Sequence, residues 1–458
     1  MRAHAVVLII LSTALFSFGL CQDESDTWEA KEAEIKKVLR SSKASLEEKQ
    51  EALSLASEFD GEDAARYLVQ LIGTKSFSPT LKKKATEILS AFTSRDALDL
   101  IKEQVNSPEK LNRHLLAAFL ARRDPDSRVF LLNLVNDEKS PRIRALAVEG
   151  ISQLGAEGNS AGYLEALRQW VRDKDEFHGI RRSAANALAG IPERNNIPVF
   201  IEMLGDPLLG EQSRDALLRM TGLDHWTDKE GWKDWWENDS HGFEPTILSD
   251  EAFLAKRKAM IEEYGNGIGF GGEFYGRKLE GRKIVFILDA SGSMILNDRM
   301  TRLKSEMEAI IENMTDDYHF GIVCFPHMRV PGRDYAQAKE RHRERSMELV
   351  SKMAAVGDTP MVAALEYTFK KVVPRNKVDT IYLLSDGVPS DLGNESLPDL
   401  VLGLNEEFGV RFHTVYISDD GDPPEVPLPP ELLERIDSAK EAMRIVAEES
   451  GGTFWTVP

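Results

Sequence analysis

The stretch Lys283-Ile284-Val285-Phe286-Ile287-Leu288-Asp289-Ala290-Ser291-Gly292-Ser293 decides the fold of the C-terminal part of the chain. Ile284 to Leu288 is an unbroken apolar run, which suits a strand covered on both faces rather than one with a wet side. Similar runs return at Phe320 to Phe325, Thr380 to Leu384 and Arg411 to Ile417. Stretches of helical period separate them, at Met300 to Met314, Tyr335 to Met353, Val362 to Val373 and Leu397 to Phe408. A last helix, from about Leu432 to Glu449, stops at Gly451-Gly452 before a final strand at Thr453 to Val457. Alternating strand and helix predicts a doubly wound, mostly parallel α/β sheet over 283–458. Sheets of this kind place ligands at the carboxyl ends of their strands.

Three segments stand at those ends. The first strand runs into Asp289-Ala290-Ser291-Gly292-Ser293, the loop Gly357-Asp358-Thr359-Pro360-Met361 precedes a helix, and the fourth strand ends in Ser385-Asp386-Gly387. Together they offer two carboxylates and three hydroxyls, all hard oxygen donors, a set suited to Mg²⁺ or Mn²⁺. These residues resemble a von Willebrand factor type A (VWA) domain, a Rossmann-like fold, with a complete metal-ion-dependent adhesion site (MIDAS), across about 280 to 458. The resemblance implies that Ser291, Ser293 and Thr359 bind the cation through hydroxyls, while Asp289 and Asp386 act directly or through water. It implies a protein partner that presents an exposed Asp or Glu. Two carboxylates roughly offset the dication and the hydroxyls add no charge, so a sixth position stays electrophilic enough for a carboxylate from another molecule.

Asp358 stands where the family commonly has Gly. Asp298, Glu312, Asp316 and Asp317 read as helix-end and solvated-face residues, Cys324 as a small buried hydrophobe, and 419–430 as an exposed insertion. The competing class is a metal-dependent hydrolase, but Ser291 and Ser293 lack a Gly-x-Ser-x-Gly elbow and the nine histidines include no His-Glu-x-x-His pair. The expectation is therefore a binding protein and not an enzyme. A third class, a purely structural envelope protein, predicts that the site residues tolerate substitution.

Upstream, a register of basic residue, small or apolar residue three on, and apolar residue four further recurs six times. It reads Lys49-Ala52-Ala56, Lys82-Ala85-Leu89, Arg113-Leu116-Leu120, Arg144-Ala147-Ile151, Arg181-Ala184-Leu188 and, with Ser in the basic place, Ser213-Ala216-Met220. Its central positions lie 33, 31, 31, 37 and 32 residues apart. Residues at i and i+4 share a helical face, and a period of 30 to 40 fits two short helices per unit. Polar breaks at Gly73-Thr74-Lys75-Ser76, Ser107-Pro108, Lys139-Ser140-Pro141 and Asp206-Pro207 separate the units. The pattern resembles HEAT-like repeats over 27–240, which implies an all-α helical-repeat solenoid used as a scaffold or protein-binding surface.

Four of the seven tryptophans, Trp226, Trp232, Trp235 and Trp236, close this region. The spacing of the last three is that of a helix face capping the open end of a stack. Residues 241–282 read as a linker with a helical stretch at Glu251 to Tyr264. Its Gly267-x-Gly269-x-x-Gly272 has the letters of a dinucleotide fingerprint, but the strand before and helix after that the motif needs are missing.

The N-terminus reads as an export signal over 1–21. Arg2 leads, Ala5 to Leu20 is a 16-residue run without charge, and Gly19 with Cys21 supplies small residues for cleavage before Gln22. The run is short of the roughly 20 apolar residues that span a bilayer, and no later window is apolar enough. The mature protein is thus expected in the periplasm or outside the cell with no integral membrane span; lipid anchoring at Cys21 is the minor alternative, since Leu20 is a poor match to a lipoprotein signal. The full chain of 458 residues carries a formal charge of -19 from 57 basic and 76 acidic residues, which argues against nucleic acid as a partner.

Overall fold

The computed structural model describes residues 27–74, 77–105, 113–120, 127–137, 139–153, 161–264, 272–326, 335–393, 396–418 and 430–457. The export segment, the breaks at Lys75-Ser76 and Ser107-Pro108, Gly267, Gly269 and residues 419–429 of the insertion lie outside them.

From Trp28 to Thr221 the described chain runs in helix pairs. The six central positions of the sequence register, Ala52, Ala85, Leu116, Ala147, Ala184 and Ala216, all fall on the second helix of a pair, and all are buried. These second helices pack side by side along the unit, and alanine at the crossing lets them approach closely. The basic position also has a physical role. Arg144 Nε donates to the carbonyl of Val135 at 3.0 Å, and Arg181 Nη2 to that of Val171 at 3.0 Å. Each guanidinium thus satisfies a carbonyl at the end of the first helix of its own pair, where the helical ladder has run out of donors. Arg181 also pairs with buried Asp206 at 2.8 Å, and Asp206 accepts from the amides of Leu208 and Leu209, which fastens one pair to the next.

Trp232 is buried in this helical core, with the half-buried Trp235 and Trp236 packed against it. The helix Asp250–Tyr264 lays Phe253 and Met260 on Leu218 and Trp226, and β1 (Glu273–Phe274) pairs antiparallel with β2 (Arg277–Lys278). Phe274 and Leu279 are buried in the core of the following α/β unit, so that part of the stretch 241–282 packs as part of the unit.

The α/β unit contains β3 (Lys283–Asp289), β4 (His319–Phe325), β5 (Ala336–Gln337), β6 (Thr380–Ser385), β7 (Arg411–Ile417) and β8 (Phe454–Val457). They form one sheet in the order β5-β4-β3-β6-β7-β8, parallel throughout except for β5, which runs antiparallel to β4 at the edge. The apolar run of β3 is explained by its two faces. Ile284, Phe286 and Leu288 enter one core with the helix Arg299–Asn313, while Val285 and Ile287 enter the other with the helices Met361–Tyr367 and Leu397–Asn405. Each such buried side chain contributes roughly 1.5–3 kcal/mol. One expected helix is shorter than its pattern: Tyr335 to Met353 begins with the edge strand β5 and becomes helical only at Glu340–Ser351.

The two units meet at the entry ends of the strands through polar contacts. Asp399 accepts from Ser78 Oγ at 2.9 Å and Thr80 Oγ1 at 2.7 Å, and Glu406 pairs with His114 at 2.7 Å and Arg113 at 3.2 Å. Arg282 Nη1 donates to the Lys174 carbonyl at 2.9 Å, and the Gly281 amide to that of Pro207 at 3.0 Å. Gly281 and Arg282 place this joint just before β3 and Glu406 just before β7, at the opposite end of β3 from Asp289, while Asp399 joins it from the first turn of the helix after β6. No helix among the described residues is long and apolar enough to cross a membrane.

Candidate metal centre

β3 delivers Asp289 to the end of the sheet, where its carboxylate is buried. Oδ1 accepts from the Ser291 amide at 2.8 Å and Oδ2 from the Ser385 hydroxyl at 2.5 Å, so one oxygen is held by the turn after β3 itself and the other by the end of the neighbouring β6. Ser291 Oγ lies 2.9 Å from Ser293 Oγ, which in turn donates to Asp386 Oδ1 at 2.8 Å. Asp386 follows β6, and its own carbonyl accepts from the hydroxyl of Tyr416 on β7 at 3.1 Å. Four of the five expected residues are thus joined in one hydrogen-bonded cluster.

Thr359 comes from the neighbouring loop. The Gly357 carbonyl accepts from the Gly292 amide at 2.9 Å, and the Val356 amide donates to the Ala290 carbonyl at 2.9 Å, which docks this loop on the Asp289–Ser293 turn. Gly357 has φ 75, a left-handed backbone open to glycine, and an added Cβ there would also stand 3.2 Å from Pro326. Thr359 Oγ1 lies beside Gly387, at 3.8 Å from where a Cβ on that glycine would be, next to Asp386. Asp358 is exposed on the same loop.

Two functional neighbours escape the sequence reading. Ser385 was visible only as part of the Ser-Asp-Gly turn, yet it orients Asp289. Arg299 opens the helix that follows the Asp-x-Ser-x-Ser turn, and its Nη1 meets Asp386 Oδ2 at 2.5 Å in a buried ion pair. No spacing rule marks it, because its reach depends on the backbone just before it, where Asn297 and Asp298 are both left-handed with φ 49 and φ 56.

The electrostatics fit a cation. Burial, and then the charge of Asp386, push the Asp289 carboxyl up to about 6, against the pull of its hydrogen bonds from Ser385 and Ser291. A divalent cation would relieve that cost, and the converging hydroxyl and carboxylate oxygens are of the hard type that Mg²⁺ and Mn²⁺ prefer. Cys324, on β4, is a buried free thiol pushed up to about 12, mainly by burial and then by Asp289, which leaves it protonated.

Residues 282–428 match the family model of the von Willebrand factor type A domain. A solved structure described as von Willebrand factor type A from Catenulispora acidiphila is similar at 21% identity and a TM-score of 0.30, over 40% of this chain and 40% of that one. The pilus adhesin SpaC from Lactobacillus rhamnosus GG is similar at 13% identity and a TM-score of 0.28, over 41% of this chain and 29% of that one. The chain therefore spans less than half the length of either. No curated protein matches it. The matched residues cover most of the VWA-like α/β unit, and the helix Pro430–Glu449 and the edge strand β8 lie beyond them.

Proposed function

We propose that this protein is an exported, metal-dependent protein-binding or adhesion protein, in which the VWA domain takes an acidic residue of a partner and the HEAT-like helical unit is the scaffold. The observation that carries the reading is the cluster of Asp289, Ser291, Ser293 and Asp386 at the sheet's carboxyl end, with Thr359 beside it. These five residues would hold Mg²⁺ or Mn²⁺, which when bound supplies an electrophilic position for a carboxylate from the partner.

Binding is favoured over hydrolysis because Ser291 and Ser293 lack a Gly-x-Ser-x-Gly elbow and the sequence has no His-Glu-x-x-His pair. The surroundings favour a protein ligand over a bare structural role. Ile295 is 67% exposed and Leu296 55%, both on the turn that carries Ser291 and Ser293, and Val356 on the docked loop is 43% exposed. Apolar side chains held in water beside a site are typical of the centre of a protein interface.

The test is capture of partner from the native exported fraction by the full chain, with and without a chelator and with Asp289→Ala or Thr359→Ala. Capture lost on either treatment supports the reading. Capture unchanged by chelator and by substitution rejects it in favour of a structural role, and turnover of a substrate that depends on the same residues would favour the hydrolase.

A further inference from the structure

We infer that Arg299 is the resident counter-cation of the candidate metal centre: it neutralises Asp386 in the absence of a dication and sets how tightly the centre takes one. The inference rests on the metal-binding reading of the same residues and goes beyond it, because Arg299 is not among the five oxygen donors.

The geometry is specific. The Arg299 side chain is 5% exposed and that of Asp386 fully buried, with Nη1 2.5 Å from Oδ2. The same Nη1 lies 3.5 Å from the Ser293 carbonyl, on the turn that supplies two of the three hydroxyls. Asp386 divides its oxygens, Oδ1 to the Ser293 hydroxyl and Oδ2 to the guanidinium, so the edge facing the cluster and the edge facing Arg299 are different atoms. The approach is built with unusual backbone: Asn297 and Asp298 are consecutive non-glycine residues in the left-handed region, and they start the helix so that its first residue reaches under the turn. Strained backbone of this sort persists where the surrounding structure enforces it, commonly at functional sites.

Charge decides the consequence. Asp289 and Asp386 bring two negative charges into a buried site, and Arg299 returns one positive, leaving a net of one negative. A dication added to that set leaves one positive charge, enough to favour a carboxylate from outside. Without Arg299 the same dication would be neutralised by the two carboxylates, held more tightly and left less able to attract an anion. A buried guanidinium on one ligand thus trades cation affinity for ligand affinity.

The experiment titrates full-length wild type, Arg299→Met and Arg299→Lys with MgCl₂ and MnCl₂ by calorimetry, and records thermal melts in chelator and in saturating Mg²⁺. Arg299→Met is expected to melt lower than wild type in chelator, to recover in Mg²⁺, and to take up the cation on the order of tenfold more tightly. A residue that only shaped the loop would give the opposite change in affinity when removed. Equal or weaker uptake by a folded Arg299→Met, with wild type still binding, overturns the role of Arg299 and leaves the metal reading standing. Uptake by neither protein overturns the metal reading and this inference with it. Should Arg299→Met fail to fold in either buffer, Arg299→Lys decides: affinity within about threefold of wild type supports a charge role, and a loss of about tenfold or more overturns it.

Discussion

The Ser385 hydroxyl accepts from the Gly387 amide at 3.2 Å and fixes an oxygen of the buried Asp289 carboxylate at 2.5 Å. A bond to a charged group is worth about 1.5–3 kcal/mol, part of which the cation could replace. Ser385→Ala is therefore expected to weaken Mg²⁺ uptake by about tenfold at unchanged secondary structure, measured by calorimetry and circular dichroism. The five candidate residues could be named from sequence because their order, on two strand ends and a loop, resembles the metal-ion-dependent adhesion pattern. Ser385 and Arg299 could not be ranked so. A serine one place before Asp386 looks like turn chemistry, and an arginine at a helix start looks like surface charge until the left-handed pair before it is seen.

At the scale of elements, legibility followed the length of the periodic signal. The both-face burial of β3 and the six-fold helical register stood out because each repeats an apolar pattern over many residues. The β1–β2 hairpin was invisible, since two-residue strands carry no period, and the edge strand β5 was absorbed into the helix that follows it for the same reason. The basic position of the register showed as a spacing whose cause needed coordinates. Arg181 caps the Val171 carbonyl and pairs with Asp206 in a site where both side chains are 2% exposed. Removing one partner strands a buried charge, so Arg181→Ala is expected to destabilise the helical unit by about 3–5 kcal/mol, read as a lowered urea midpoint. Lys82→Ala, an exchange at the half-exposed equivalent in an earlier pair, is expected to change it by less than about 1 kcal/mol.

Across the whole molecule, the polar joint holds the helical unit against the entry ends of the strands, at the opposite end of β3 from Asp289. Its ion pairs make the docking pH-sensitive. Burial pushes the Glu406 carboxyl up, but the His114 hydrogen bond and the charges of Arg113, His114 and Lys82 more than offset it and hold the group at about 2, below its ordinary 4.5. A carboxyl lowered in the folded state contributes stability that is full above its ordinary value and lost as pH falls toward the lowered one. Docking should therefore loosen between about pH 4.5 and about pH 2, seen as faster hydrogen exchange in the helix Leu397–Asn405. Glu406→Gln should flatten that acid dependence; an unchanged profile would remove Glu406 from the joint's pH response. None of this joint was foreseeable from sequence, because Ser78, Thr80 and His114 meet Asp399 and Glu406 across some 300 residues of chain.

The most direct measurement is a calorimetric titration of the purified full chain with MgCl₂ and MnCl₂, alongside Asp289→Ala and Thr359→Ala proteins shown to melt as wild type does. Saturable uptake at a single site by wild type, absent from both variants, is the predicted result. No uptake by wild type, or uptake that survives the loss of Asp289, would contradict the claim that these oxygens hold a cation.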